Sequence, residues 1–478
     1  MKPIVKSLYY KGLSLSGWLL VGCLLSGCQG TPQGPSGPDT RMDQAQQGIF
    51  YPPAPDVPRL QFLTSISTSA DLGPGAVRKV SGFERFVLGD EETEVSDRIL
   101  KPYGMALDDG KLYVCDVQKR AVEVLDLEAE TFGYLTRERR MTNPVNLCIV
   151  NGIKYVADPS AEEIFVFGRD NELKTILGSD LDLKPVDVDV RGRRCYVTDM
   201  NKNQVVVIDI GTGEVITRMG AAGDELGQFV LIGDMALDEQ ENLYVTDKLL
   251  GRITKFNREG LFQKAFGQAG DSIHHFVRPK GISVDHDGRI WVVDAAPEVA
   301  KIYDSDGRLL MYFGFPGDTP GSMNLPASIF IDYDHVALFR KYMAPGAQIE
   351  FLVLVSNQYG KKINVYGFGR FPEQESAIAR EREASTQDFL AQTSPSVSRP
   401  QPSSNQDRTR PSEAVETVRM QEIANIYYRS MYLYRNGRYR EARGGFVEVL
   451  NSGQIPPPMA QTIRQYLSDI DQHMSSGR

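Results

Sequence analysis

The sequence predicts a mainly β protein, a six-bladed β-propeller carrying a small all-α domain at its C-terminal end. Three observations predict it. A short two-strand phrase recurs six times between residues 102 and 368. A third and often a fourth apolar run follows each copy, giving three to four short strands per repeat at a period of about 40–50 residues, the propeller range. After about residue 414 the apolar spacing changes from the strand period to the helical one.

The clearest copy runs Pro279-Lys280-Gly281-Ile282-Ser283-Val284-Asp285-His286-Asp287-Gly288-Arg289-Ile290-Trp291-Val292-Val293-Asp294. Two apolar, β-branched runs flank a polar turn, which is a hairpin signal, and an Asp closes the second run. Equivalent hairpins start near Pro102, Pro144, Pro185, Asp234 and Pro326. The first five copies close on Asp116, Asp158, Asp199, Asp247 and Asp294, and the sixth closes on Asn357. Third runs follow, such as residues 205–208, 253–256 and 363–366. Residues 58–66 read as a lone strand with no repeat partner nearby, while the sixth repeat lacks its last strand. The lone strand is therefore expected to complete the sixth blade and close the ring, removing two exposed sheet edges.

These repeats resemble NHL repeats, whose pattern begins near Pro-x-Gly, ends its second strand Tyr-Val-x-Asp and reads like Arg-Ile-x-x-Phe in its third. Leu243-Tyr244-Val245-Thr246-Asp247 and Arg252-Ile253-Thr254-Lys255-Phe256 follow it closely. The resemblance implies a six-bladed NHL-type propeller over residues 58–370. The sixth copy departs most, with an insertion at residues 334–350 and Asn357 in place of Asp.

Residues 1–28 read as a targeting segment. Lys2, Lys6 and Lys11 form a basic start, and the apolar core over residues 17–25 is too short to span a bilayer comfortably. The segment ends Leu25-Ser26-Gly27-Cys28, which resembles the bacterial lipoprotein signal. That resemblance implies lipidation of Cys28, and Gln29 after it implies an outer-membrane anchor facing the periplasm or the cell surface. Residues 29–57 are a flexible Gly/Pro/Gln/Ser-rich tether. Residues 75–89 carry Val77, Val80, Phe83, Phe86 and Val87 at helical spacing and predict a short helix over one opening of the propeller.

The acidic residues are read as structure. Asp285-His286-Asp287-Gly288 and Asp304-Ser305-Asp306-Gly307 open like calcium loops but lack the later ligand positions, so turn chemistry is expected. The closing Asp column is expected to accept hydrogen bonds from turn N–H groups. The chain has five His, and no metal-ligand spacing, Gly-x-Ser-x-Gly or His-Glu-x-x-His occurs, so no cofactor, metal or catalytic residue is assigned. Cys115, Cys148 and Cys195 read as small buried hydrophobes, or as one disulfide plus a free thiol. A net charge of −9 argues against a nucleic-acid surface.

Residues 371–413 form a disordered Ser/Pro/Gln-rich linker. Residues 414–478 form the helical domain. Gly437-Arg438-Tyr439-Arg440-Glu441-Ala442 resembles the turn of a TPR helix pair, and residues 459–473 a following capping helix. Tyr427, Met431, Tyr434 and Arg435 form a stripe that, on this resemblance, lines a partner-binding groove. The same stripe equally fits packing on the capping helix or the propeller. The expectation is a lipid-anchored envelope protein that binds or scaffolds other envelope or secreted proteins, in the company of multihaem cytochromes or export machinery. The alternative is a metal-dependent lyase or hydrolase with its site in the channel.

Overall fold

The computed structural model describes residues 48–54, 56–73, 78–79, 94–95, 97–135, 140–380, 426–427, 430, 434, 438–452 and 457–475. Five four-stranded antiparallel sheets and one five-stranded sheet form six blades. The first blade runs outward from the axis as Pro102–Asp108, Lys111–Asp116, Ala121–Asp126 and Thr131–Tyr134. The next four begin with the inner strands Asn146–Val150, Pro185–Arg191, Ile232–Leu237 and Pro279–Val284. The inner strands touch in chain order, and Pro326–Asp332 of the sixth blade touches Pro102–Asp108 of the first, so the ring is closed.

Burial follows position in the blade. Second strands such as Leu243–Asp247 are buried throughout, because both sheet faces meet neighbouring blades. Outer strands such as Val215–Met219 alternate between half-buried and exposed positions and end on a buried one. Composition alone does not separate them: Leu-Tyr-Val-Thr-Asp and Val-Ile-Thr-Arg-Met each hold three apolar residues of five.

The sixth blade is ordered Ile49–Tyr51, Leu60–Ile66, Lys362–Arg370, Gln348–Asn357, Pro326–Asp332. The N-terminal strand thus supplies the missing strand, pairing Leu60 with Phe368 and Ile66 with Ile363. A further short strand, Ile49–Tyr51, caps it. The insertion after Asp332 forms a 3-10 helix, Val336–Tyr342, whose Phe339 is buried. Gln61 staples this insertion to the closing strand: its Nε2 donates to the Tyr342 carbonyl at 3.1 Å and its Oε1 accepts from the Ala344 N–H at 3.0 Å.

Within residues 75–89, Arg78–Lys79 form a short ladder with Glu94–Val95 rather than part of the expected helix. The rest of that expected helix lies outside the described residues. At the C-terminal end, Tyr439–Asn451 and Pro457–Ser475 are helices. The second opens on prolines, where a missing N–H does no harm. Ala442, Phe446, Val449, Ile463 and Ile470 form the core between them, and Ile273 and Val299 of the propeller belong to the same cluster.

Candidate functional site: the central channel

The inner strands share a local irregularity. In five blades the pairing with the second strand slips near its start, between Pro102 and Met105, Pro185 and Asp187, Ile232 and Met235, Pro279 and Ile282, and Pro326 and Ile329. A β-bulge re-aims side chains that a regular ladder would stack between blades. Here it produces a narrow neck ringed by Gly104, Asn146, Asp187, Asp234, Gly281 and Ser328, one from each blade. Two positions are glycine because there is no room for more. A Cβ on Gly104 would come within 2.5 Å of the Asn146 Cα, and one on Gly281 within 2.5 Å of the Ser328 Cα.

Below the neck, Tyr103 of the first blade interacts with Lys248 of the fourth, the blade opposite. Lys280, 5% exposed, lies with its ammonium 5.6 Å from the Tyr103 ring and 3.3 Å from the Gln358 Oε1. Above the neck, the channel opens into a chamber of about 490 Å³ that leads to the hairpin turns joining first and second strands. Its floor carries Asn146, Asp187, Asp234 and Ser328, and its rim carries Arg191, Glu239, His286 and Tyr333. His286 and Tyr333 stack at 3.7 Å.

The floor is electrostatically tense. Asp187 Oδ1 accepts from Asn146 Nδ2 at 2.6 Å and the Val188 N–H at 2.8 Å, and Oδ2 from the Met235 N–H at 2.7 Å. Even so, burial and then the neighbouring Asp234 charge push Asp187 well above the usual carboxylate range. Asp234 is also raised by burial, against the pull of Lys248 and Lys280. Its nearest cation is the Lys248 ammonium at 3.7 Å. Burial, then the charge of Arg278, brings Lys280 down to about 8, and burial lifts Tyr103 to about 12.

The residues singled out in the sequence fall elsewhere. Cys28, Met431 and Arg435 lie outside the described residues. Tyr427 is 1% exposed and packs against Phe446 in the cluster shared with Ile273 and Val299. Tyr434 packs against Phe446 and Tyr466, and its hydroxyl donates to Asp469. The described half of the expected partner-binding stripe therefore faces its own chain, the internal packing that the sequence left as an equal reading. The apolar tail pair must bury these rings somewhere, and the fifth blade lies within reach.

The closing Asp column does what turn chemistry requires. Asp116 Oδ2 accepts from the N–H groups of Leu100 and Lys101 at 2.6 and 3.0 Å, and Oδ1 from those of Gln118 and Lys119 at 3.0 Å. Asp158, Asp199, Asp247 and Asp294 likewise accept from backbone N–H groups of the incoming loop. Asp285 and Asp304 cap their own turns, at the Arg289 and Arg308 N–H groups. Cys115, Cys148 and Cys195 are free thiols; Cys148 lines the chamber and the other two are buried. Sequence reasoning missed the neck. The signal available was the charged residue inside an apolar inner strand, as in Val186-Asp187-Val188 and Gly233-Asp234-Met235.

No protein-family model matches this chain, and no curated protein matches it. Solved structures resemble it at low identity. The virginiamycin B lyase of Staphylococcus aureus is 14% identical, with 57% of this chain and 96% of that one covered at a TM-score of 0.41. A gluconolactonase of Xanthomonas campestris is 16% identical, with 64% and 98% covered at 0.42. An auxiliary nutrient binding protein of Bacteroides thetaiotaomicron is 12% identical, with 59% and 71% covered at 0.45. The chain's own six sheets and tail helices make it a mainly β, six-bladed propeller with a small C-terminal helical segment.

Proposed function

We propose that this chain is a lipid-anchored cell-envelope binding and scaffold protein. Its repeats follow the NHL pattern, its anchor is Cys28, and its propeller and helical tail present surfaces to envelope or secreted proteins. The observation that carries this reading is the Asp column. The five acids that recur through the repeats are engaged by N–H groups of the chain's own loops, so they serve as structural clamps. A propeller held in this way is a rigid platform, and a tethered platform raises the effective concentration of whatever it holds. The rival reading, a metal-dependent lyase or hydrolase, draws on the two carboxylates in the neck. Among the described residues, however, no three His, Cys, Asp or Glu side chains group as metal ligands.

Two measurements test the proposal. Cys28→Ala is expected to move the protein from the membrane fraction to the soluble one and to remove the acyl mass from the mature N-terminus. Unchanged fractionation without lipid mass refutes the anchor. Purified, chelator-free protein is expected to carry no stoichiometric metal, and zinc or calcium at one per chain overturns the non-enzymatic reading.

A further inference from the structure

The geometry points to the chamber above the neck as a binding site for an amphipathic primary amine, its ammonium on Asp234 and its apolar body along the channel wall. This goes beyond the scaffold reading and does not depend on it. The chamber, at about 490 Å³, falls in the size range of small-molecule sites. Apolar side chains such as Leu107, Leu147, Ile149, Leu237, Ile282 and Ile329 line its wall, between the polar floor and a rim that carries Arg191, Glu239 and His286.

Asp234 supplies the second, independent observation. It is 2% exposed and lines the chamber, yet neither of its carboxylate oxygens accepts a hydrogen bond from the chain. The Lys248 ammonium stands at 3.7 Å, beyond hydrogen-bond distance. Asp187 beside it is already satisfied by Asn146 and two backbone N–H groups. A buried acceptor with no donor is a poor resting state, and two adjacent carboxylates repel each other. A group that brings both N–H donors and positive charge relieves both problems. Tyr103, Lys248 and Lys280 do not line the chamber, and Arg191, which does, stands at the rim paired with Asp189 at 2.7 Å, so the charge at the floor is carboxylate. An anion is therefore disfavoured. Water can meet the floor but gains nothing from apolar walls, whereas an alkyl body displaces it favourably.

The probe is n-octylammonium, with n-octanol and octanoate as matched neutral and anionic controls, titrated calorimetrically into the purified chain at neutral pH. The expected result is saturable one-to-one binding of octylammonium, at least tenfold tighter than octanol, and no binding of octanoate. Asp234→Asn is expected to weaken octylammonium at least tenfold. Ser283→Phe fills the channel wall with both carboxylates intact and is expected to abolish binding, so it decides the matter should the Asp234 variant fail to fold by circular dichroism. Equal affinity for octanol and octylammonium overturns the proposal. So does octylammonium binding that survives either substitution in a folded protein, or stoichiometric displacement of the amine by calcium, which would make the floor a metal site.

Discussion

Removing the contacts of one leucine should reveal how much of the propeller depends on its N-terminal strand. Leu60 is fully buried and shares a cluster with Trp291, Phe351 and Phe368, so it packs between the fifth and sixth blades. Leu60→Ala deletes three carbons from a rigid, ring-lined site, and such truncations lower stability by about 2–5 kcal/mol. At roughly 2 °C per kcal/mol for a domain of this size, the melting temperature should fall by about 4–10 °C. A chain beginning at residue 70 should fare much worse. It loses Leu60, Leu63 and Ile66, all buried, each contributing about 1.5–3 kcal/mol. The sum, about 5–9 kcal/mol, rivals the whole stability of an ordinary domain. It also loses the Gln61 staple to the insertion and leaves Lys362–Arg370 as a bare edge open to aggregation. Differential scanning calorimetry of Leu60→Ala, and of chains starting at residues 48 and 70, measures all three. A Leu60→Ala shift below about 1 °C, or equal melting of the two chains, would refute closure of the ring as a source of stability.

Two further predictions concern groups outside the neck. Tyr427→Ala with Tyr434→Ala removes two rings from the core between the tail helices and the fifth blade, a loss of several kcal/mol, on the order of 3–5 for one such ring. The tail should become quickly cleaved by trypsin while the propeller melts as before; an equally resistant tail that has lost a co-purifying envelope partner would instead restore the partner-facing reading. Glu123 is buried with Lys119 at 2.6 Å, and burial, opposed by that lysine, pushes it up from 4.5 to about 7. Its folded value lies above its unfolded one, so the stability it contributes is fully present below about pH 4.5 and is lost as pH rises through about 7. At pH 8 the loss is about 3 kcal/mol, and Glu123→Gln should improve in melting temperature relative to the natural chain between pH 5 and pH 8. A difference that stays flat with pH would contradict this.

How much of this was legible in the sequence depends on how local the signal is. Each hairpin is written into some fifteen consecutive residues, and its closing Asp bonds to turn N–H groups two and three positions on, so both could be read off. Ring closure was readable too, because a strand without a partner at one end matched a repeat lacking one at the other. The neck was not. Asp187 reaches Asn146 across 41 residues and Met235 across 48, and nothing local announces such a meeting. An Asp within a strand also reads as turn chemistry, since Asp is depleted from strands. The tail shows a different limit. Helical spacing placed Tyr427 and Tyr434 on one stripe correctly, but spacing says only that a stripe is apolar. Whether Ile273 of its own propeller or another protein covers it is a tertiary fact.

The repeats themselves separate scaffold from site. At the closing position the first five blades carry Asp and the sixth carries Asn357, whose Oδ1 accepts from the Asn324 N–H at 2.9 Å and so does the same work. At the neck the six blades carry Gly, Asn, Asp, Asp, Gly and Ser, although the backbone irregularity around most of them is shared. A neck needed only for close packing would be met by small residues in every blade. Two carboxylates in a buried ring, with Lys248 and Lys280 just below it, must instead be desolvated, and such groups seldom add net stability. Asp187, Lys248 and Lys280 each find a partner within the chain. Asp234 is left facing the chamber with both oxygens unfilled by hydrogen bonds and the Lys248 ammonium 3.7 Å away. Constancy from blade to blade marks what holds the ring together, and departure from it marks the place where the ring is built to meet something else.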